Sequence, residues 1–287
     1  MKTKFGDRRD GTRLKSGGFE KIWYTLKNKR SENEVHILKE IDVTELKKYY
    51  DKLKKENKDI TYFHLFSTAT AKIIYNKPLL NRFVINRSCY MRNNVSLSFV
   101  AKTDFTEDAK ELFTVMKVDK EDNLSSISKK ILGDVKKVRS NQGNNTDDFM
   151  DKLKILPKFL IKIITWLIKF LDNHDLLPSS LTDGSIYHST VLLSNLGSIH
   201  CDGIYHNLTN FGTNSIVVTI GEIKESAKVI DGKIEKRYIC SVGITLDERI
   251  ADGVYFAKCV NLLEYILNNP SLLEDRVDAK INIIENK

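Results

Sequence analysis

Three runs rich in Val, Ile and Thr limit the folds that this chain can adopt. They lie in the C-terminal third, at residues 188–194, 215–222 and 236–246. These residue types favour β-strands because their branched side chains pack well on a pleated surface. Ile230-Asp231-Gly232-Lys233 is a hairpin turn signal between the last two runs. Residues 253–268 then have the spacing of an amphipathic helix. Together these patterns predict an α/β protein.

The upstream sequence alternates between strand and helix patterns. Strands are predicted at 35–41, 95–100 and 112–116, and helices from Asp42 to about Asn57, at 62–75 and at 123–139. The helix at 62–75 is apolar nearly all round, so we expect it to be buried. Because no strand–helix–strand period repeats, the elements predict a mixed sheet flanked by helices.

Composition places the chain among folded proteins. It is 41% hydrophobic and 29% charged over 287 residues, which permits one or two domains. An uncharged apolar run of about 18 residues and a signal-peptide pattern are both absent, so we expect a cytoplasmic protein. The cysteines lack CxxC spacing, which indicates neither a zinc site nor a disulfide framework. They are Cys89, Cys201, Cys240 and Cys259.

The net charge of +8 is concentrated at one end of the chain. Residues 1–30 hold ten Lys or Arg and three acidic residues, which accounts for +7 of it. The basic arm, assigned to residues 1–19, is suited to polyanions or to the phosphates of a nucleotide cofactor. A mobile, solvated terminus is the simpler explanation. Since the rest of the chain is nearly neutral, we do not expect nucleic acid as a partner.

A strongly apolar segment follows residues 141–148, a polar stretch that we expect to be a surface loop. Residues 155–171 place their lysines near one helical face. Three roles fit such a helix: packing on the sheet, lying on a membrane surface, or covering an apolar substrate channel. The pattern favours the core helix, and the segment is too charged and too short to span a bilayer.

Two segments carry residues suited to chemistry, although a Gly-rich phosphate loop, HExxH and GxSxG are all absent. Ser194-Asn195-Leu196-Gly197 ends a predicted strand, where a hydroxyl and backbone N–H groups are placed to donate to an oxyanion. An ordinary Asn/Gly turn explains the same residues. Asp252 precedes the last predicted helix and is a good N-cap.

These segments occur in the order seen in a known family. The chain resembles the catalytic domain of 2-oxo acid dehydrogenase acyltransferases from about residue 20 to 275. The landmarks that carry the resemblance are residues 40–46, 77–81, 194–197, 215–222, 229–232, 247–253 and 262–270. The resemblance implies a chloramphenicol acetyltransferase-like two-layer sandwich. It further implies a single domain over residues 20–287, in a stand-alone form without lipoyl or subunit-binding domains, and a homotrimer with its active sites between subunits.

The resemblance also implies a mechanism. In the family, an HxxxDG histidine takes the proton from the thiol of coenzyme A or dihydrolipoamide as the sulfur attacks an acyl carbonyl. Ser194 matches the hydroxyl that donates to the oxyanion, and Asp252 matches the aspartate that supports the site. Glu248 stands where the family has histidine. Coenzyme A or acyl-coenzyme A is then the expected co-substrate, with a small-molecule acyl acceptor and no metal.

Glutamate is a weaker base than histidine. A thiol titrates near about 8.5, imidazole near about 6.5 and a carboxyl near about 4.3, so complete proton transfer costs about 3 kcal/mol more with Glu248. Burial of a carboxylate recovers part of that basicity. A structural role for Glu248, paired with Arg249 or with another basic residue, explains it instead. His188, His200 and His206 are alternative bases near Ser194 in sequence.

Two functions follow from this departure. The first is an acyltransferase that moves an acyl group from an acyl thioester to a thiol, hydroxyl or amine, with Glu248, Ser194 and Asp252 as its site. The second is a non-catalytic homologue that keeps the trimer as a binding or assembly module.

Overall fold

The computed structural model describes residues 7–56, 58–102, 111–139 and 156–282. The strands are β1 (Gly11–Arg13), β2 (Glu34–Asp42), β3 (Arg82–Ile85), β4 (Ser88–Arg92), β5 (Val95–Lys102), β6 (Glu111–Val118), β7 (Val191–Asn195), β8 (Ile216–Ile230) and β9 (Lys233–Asp247). The helices are α1 (Gly18–Leu26), α2 (Thr44–Lys55), α3 (Tyr62–Asn76), α4 (Leu124–Arg139), α5 (Lys158–Asn173), α6 (Ser179–Thr182) and α7 (Gly253–Asn268). The predicted loop at residues 141–148 lies outside the described ranges.

A six-stranded sheet in the order β2-β9-β8-β7-β5-β6 organises the molecule. β7 is parallel to β5 and to β8, and the other neighbouring strands are antiparallel. The prediction of an α/β fold with a mixed sheet is therefore confirmed. β8 and β9 are 15 residues each and extend beyond the apolar runs that predicted them. The sequence pattern missed the parts of the strands near the turn because those residues are charged and partly exposed.

One face of this sheet packs on helices. Cys240, Val242, Ile244 and Leu246 alternate along β9 and are all buried, as a strand with one covered face requires. They join a single core cluster with side chains of α2, α3, α4 and α7. The prediction that the helix at 62–75 is buried is confirmed, since eleven residues of α3 are buried.

The opposite face of β8 and β9 is polar, and an extended segment crosses it. The N–H of Gly203 donates to Ser241 Oγ at 2.8 Å, and the N–H of Ile204 donates to Thr219 Oγ1 at 3.0 Å. A Cβ at Gly243 would collide with the carbonyl of Ile204. Glycine is therefore needed at this position because the two backbones touch.

The basic arm is anchored where it is described. β1 pairs with β4 in a three-stranded sheet of order β1-β4-β3. Arg8 is buried and donates to the carbonyl of Asp172 at 2.6 Å, and the N–H of Arg9 donates to Asp175 Oδ2 at 3.0 Å. The alternative of a mobile, solvated terminus is wrong for Arg8, which is buried, whereas Arg9 is exposed.

The expectation of a core helix at residues 155–171 is wrong for the described part. In α5 the only buried residue is Asp172, and Phe159, Ile163, Trp166 and Phe170 are exposed. The sequence pattern misled because α5 is apolar over two adjoining faces, of which the protein covers one. Within the described residues, no helix has the length and hydropathy needed to cross a membrane.

Candidate functional site

The candidate site is built on the connection from β9 to α7. β9 ends at Asp247, a 3-10 turn spans Glu248–Ile250, and Asp252 begins α7 as its N-cap. The Asp252 carboxylate accepts from the N–H of Tyr255 at 2.7 Å. The N-cap prediction is confirmed, and the cap fixes where the turn ends and the helix begins.

A buried ion pair holds the turn from beneath. Arg249 donates to Asp247 through Nε at 2.8 Å and through Nη2 at 2.7 Å. Such a fork-like pair fixes both side chains in direction as well as in distance. The suggested pairing of Glu248 with Arg249 is therefore wrong, because Asp247 occupies the guanidinium.

A second arginine closes the same network. Arg30 Nε lies 3.5 Å from Asp247 Oδ2, and Arg30 Nη2 donates to the carbonyl of Gly212 at 2.9 Å. Burial lowers the pKa of Arg30, and the charge of Asp247 opposes that shift. Asp247 is fully buried between the two cations, Arg30 and Arg249. Sequence reasoning missed Arg30 and Asp247. Asp247 is a charged residue at the end of the apolar run of β9, and Arg30 lies in the basic N-terminal segment.

Glu248 itself projects from the network. Its N–H donates to the carbonyl of Asn33 at 2.8 Å, which ties the turn to the residue before β2. The side chain is exposed, and among the described residues its carboxylate has no hydrogen bond or ion pair. The geometry thus presents an unpaired carboxylate at the surface of one copy.

Ser194 lies at the other end of the same sheet. It is half-buried on β7, and the register places it opposite Thr219 on β8, which in turn pairs with Gly243 on β9. Glu248 follows Gly243 by five residues. With about 3.3 Å per residue and about 4.8 Å per strand, the two backbones are about 19 Å apart within one copy. One copy therefore does not bring Ser194 and Glu248 together, whereas Glu248 and Asp252 share a turn.

The three histidines considered as alternative bases have different surroundings. His200 is exposed with Nδ1 at 2.6 Å from Glu222, and His206 is exposed with Nδ1 at 3.0 Å from the carbonyl of Asn207. His188 is buried, and its Nε2 lies 3.1 Å from Asp172 Oδ1. None of the hydrogen bonds in the described ranges joins these rings to Ser194.

The His188–Asp172 pair lies beside a cavity of about 280 Å³ that Arg8 and Arg92 also line. Burial by itself raises the pKa of Asp172, but the hydrogen bond and charge of His188 and the charge of Arg8 outweigh it and leave the pKa lowered. Asp172 is thus an ionised anchor for the N-terminal arm. The pair has a structural role whatever its chemistry.

Metal sites in proteins are built mostly from His, Cys, Asp and Glu side chains. In that part of the chain, no group of three His, Cys, Asp or Glu side chains is arranged to hold a metal ion. The cysteines are unpaired, with Cys201 partly exposed and the other three buried.

The sheet order, the helical layer and the turn before α7 define a chloramphenicol acetyltransferase-like α/β protein. A chloramphenicol acetyltransferase structure superposes with a TM-score of 0.53 and 12% identity, covering 90% of this chain and 99% of the other. Residues 162–274 match the family of 2-oxoacid dehydrogenases acyltransferase (catalytic domain). The resemblance to this acyltransferase family is therefore confirmed over residues 162–274.

Two further solved structures share the fold. A probable dihydrolipoamide acetyltransferase from Listeria monocytogenes superposes with a TM-score of 0.60 at 17% identity, covering 90% of this chain and 94% of that one. The truncated catalytic core of a 2-oxoacid dehydrogenase multienzyme complex from Thermoplasma acidophilum gives a TM-score of 0.58 at 17% identity, with coverages of 90% and 99%.

One curated relative matches by sequence. The dihydrolipoyllysine-residue acetyltransferase component of the pyruvate dehydrogenase complex of Mycoplasma capricolum is 28% identical over 93 residues. The match covers 32% of this chain and spans 21% of that protein's length.

Proposed function

We propose that the protein transfers an acyl group from an acyl thioester such as acyl-coenzyme A to a thiol, hydroxyl or amine acceptor. The family match and the shared fold support acyl transfer as the class of reaction. Residues 20–287 act as the single acyltransferase-like domain, with residues 1–19 as a basic arm.

One observation carries the proposal: Ser194 on β7 and Glu248 in the turn after β9 are far apart within one copy. Ser194 and Glu248 are about 19 Å apart along the register, too far to act on one carbonyl. A homotrimer that sets Ser194 of one copy against Glu248 of the next completes the site. The unpaired carboxylate at the surface is suited to face such a neighbour.

The chemistry then needs two groups. Glu248 takes the proton from the acceptor as the acceptor's thiol, hydroxyl or amine attacks the thioester carbonyl. The Ser194 hydroxyl donates to the oxyanion of the tetrahedral intermediate. When the intermediate collapses, the carbon–sulfur bond breaks, and Glu248 returns the proton to the departing thiolate. Asp252 acts indirectly, by fixing the turn that carries Glu248.

The experiment measures coenzyme A release from a panel of acyl-coenzyme A compounds. A free-thiol assay follows the reaction with hydroxyl and amine acceptors, and chromatography follows it with thiol acceptors, because a thiol acceptor consumes one thiol for each one released. Glu248→Gln and Ser194→Ala are each expected to lower turnover by about 10²-fold or more. Glu235→Gln, an exposed carboxylate on the β8–β9 hairpin, is the matched control and should leave turnover unchanged. Equal turnover in Glu248→Gln and the native protein would show that Glu248 is not the base.

The second candidate is a non-catalytic trimer that binds or assembles without turnover. The presence of Glu248 in place of histidine favours it, because a carboxylate near a developing thiolate is repulsive whereas a protonated imidazole attracts it. Thermal shift with the same acyl-coenzyme A panel separates the two. Stabilisation without thiol release supports the binding module, and stabilisation with release supports the enzyme.

A further inference from the structure

An uncovered apolar stripe runs along α5. Phe159, Ile163, Trp166 and Phe170 follow one another at spacings of four, three and four residues, which places them on one helical face. Their exposed fractions are 62%, 55%, 66% and 44%. Trp166 and Phe170 stack with ring centroids 5.8 Å apart. A contiguous row of large, exposed apolar side chains is typical of an interaction surface.

The stripe is separate from the face by which α5 attaches to the protein. Leu160, Ile164, Ile168 and Leu171 are partly buried and lie roughly a third of a turn away around the helix. The helix is therefore apolar over two adjoining faces, and attachment to the protein explains only one of them.

The charge beside the stripe has a single sign. Lys158, Lys162 and Lys169 are exposed along the edge of the apolar face. The helix has one acidic residue, Asp172, which is buried and bound by Arg8 and His188. The exposed surface of α5 thus combines large apolar side chains with cations alone, the pattern of helices that lie in a lipid–water interface.

α1 carries a second, shorter stripe. Phe19, Ile22 and Leu26 share one face and are exposed by 76%, 61% and 75%. The residues that follow α1 and the end of α5 border the same polar cavity of about 250 Å³, to which Lys29 and Lys169 both contribute. The C-terminal ends of the two helices therefore lie near the same cavity.

We propose that α5 binds the surface of an anionic phospholipid membrane, with its apolar stripe among the acyl chains and its lysines at the headgroups. The α1 stripe forms a second contact. Charge complementarity selects this occupant, because cations near a surface of phosphatidylserine are attracted to it. A face-to-face dimer through α5 would instead bring lysines against lysines.

The test is vesicle flotation joined to tryptophan fluorescence. The chain has two tryptophans, Trp23 and Trp166, so Trp23→Phe leaves Trp166 as the reporter. With vesicles of phosphatidylcholine and phosphatidylserine, we expect co-flotation and a blue shift of Trp166 emission. Phosphatidylcholine alone should give much weaker binding, and high salt should weaken the anionic case.

Matched variants locate the contact. Phe159→Ser with Trp166→Ser should abolish flotation, whereas Val229→Ser with Ile234→Ser, which removes two equally exposed apolar side chains from the β8–β9 hairpin, should not. Lys162→Gln with Lys169→Gln should reduce binding to anionic vesicles at least tenfold. Lys52→Gln with Lys55→Gln on α2 should leave it unchanged.

Three outcomes overturn the proposal. One is absence of flotation with anionic vesicles, and another is equal loss in the hairpin control. The third is a Trp166 emission that is already blue-shifted without lipid and depends on protein concentration, which would show that a second copy covers the stripe.

Discussion

At the scale of single residues, the proposed acyl transfer depends on Glu248. Its turn is fixed by Asn33, by the Asp247–Arg249 pair and by the Asp252 cap. Its carboxylate is exposed and has no partner among the residues that the structure describes. The fold therefore positions the group well, and the weakness of the base is a matter of its chemistry.

Replacing Glu248 by histidine tests this directly. Imidazole accepts a thiol proton at a lower cost than a carboxylate does, so Glu248→His should raise thiol release by up to on the order of a hundredfold. Steady-state kinetics with the best acyl donor measures it. An equal gain in Glu235→His would attribute the effect to an unspecific base and not to the site.

The buried pair beneath the turn should matter for folding. Asp247→Asn leaves the cations of Arg249 and Arg30 buried without their partner, and we expect a loss of about 3–5 kcal/mol in the free energy of unfolding. Urea denaturation measures the loss. Glu248→Gln, one residue away but exposed, should change stability by less than about 0.5 kcal/mol. Equal effects of both would contradict the assigned roles.

His64 predicts an acid dependence of stability. It is buried in α3, its Nδ1 accepts from the N–H of Thr61, and burial lowers its pKa to about 4. A lowered folded-state pKa means that its contribution is fully present above about pH 6.5 and is lost as the pH falls toward about 4, by at most about 3 kcal/mol. In His64→Gln, the urea denaturation midpoint should depend less on pH between about pH 6.5 and about pH 4 than it does in the native protein. An unchanged slope would contradict the assignment.

Sequence patterns predicted some of the candidate site residues and missed others. Ser194, Glu248 and Asp252 could be singled out because they lie in short segments whose order resembles a family, and Asp252 needed only the rule that acidic residues cap helices. The Asp247–Arg30 contact joins residues 217 positions apart, so only folding brings them together.

At the scale of elements, local pattern predicted which segments form strands and helices but not what covers them. The apolar run of β9 alternates with Ser241, Gly243 and Thr245, and those small residues admit the crossing segment at Gly203 and Ile204. For α5 the helical period was predicted, but the described residues do not cover its apolar stripe. Periodicity reports the face of an element, and only tertiary structure reports the occupant of that face.

The crossing segment supports a prediction with a matched control. Gly243→Ala should destabilise the protein by about 1–3 kcal/mol because the new methyl group meets the backbone of Ile204. Gly133→Ala in α4 has open space and should stabilise it by about 0.5–1 kcal/mol. Thermal unfolding of both variants checks the pair. A neutral Gly243→Ala would show that the segment does not press on the sheet in solution.

At the scale of the whole molecule, the register of the sheet keeps Ser194 and Glu248 of one copy apart. Each proposed active site therefore needs residues from two copies. The separation of about 19 Å along β7, β8 and β9 is set by sheet geometry and not by side-chain conformation. Sedimentation velocity should accordingly find a trimer. A monomer at micromolar concentration would contradict the composite site.

The most direct measurement is the activity of mixed trimers made by co-refolding Ser194→Ala and Glu248→Gln chains in equal amounts. Each variant alone has lost one group from every site. Random mixing should restore about a quarter of the native thiol-release activity, since that share of the interfaces pairs an intact Ser194 with an intact Glu248. Activity no greater than that of the two parents would contradict a site shared between copies.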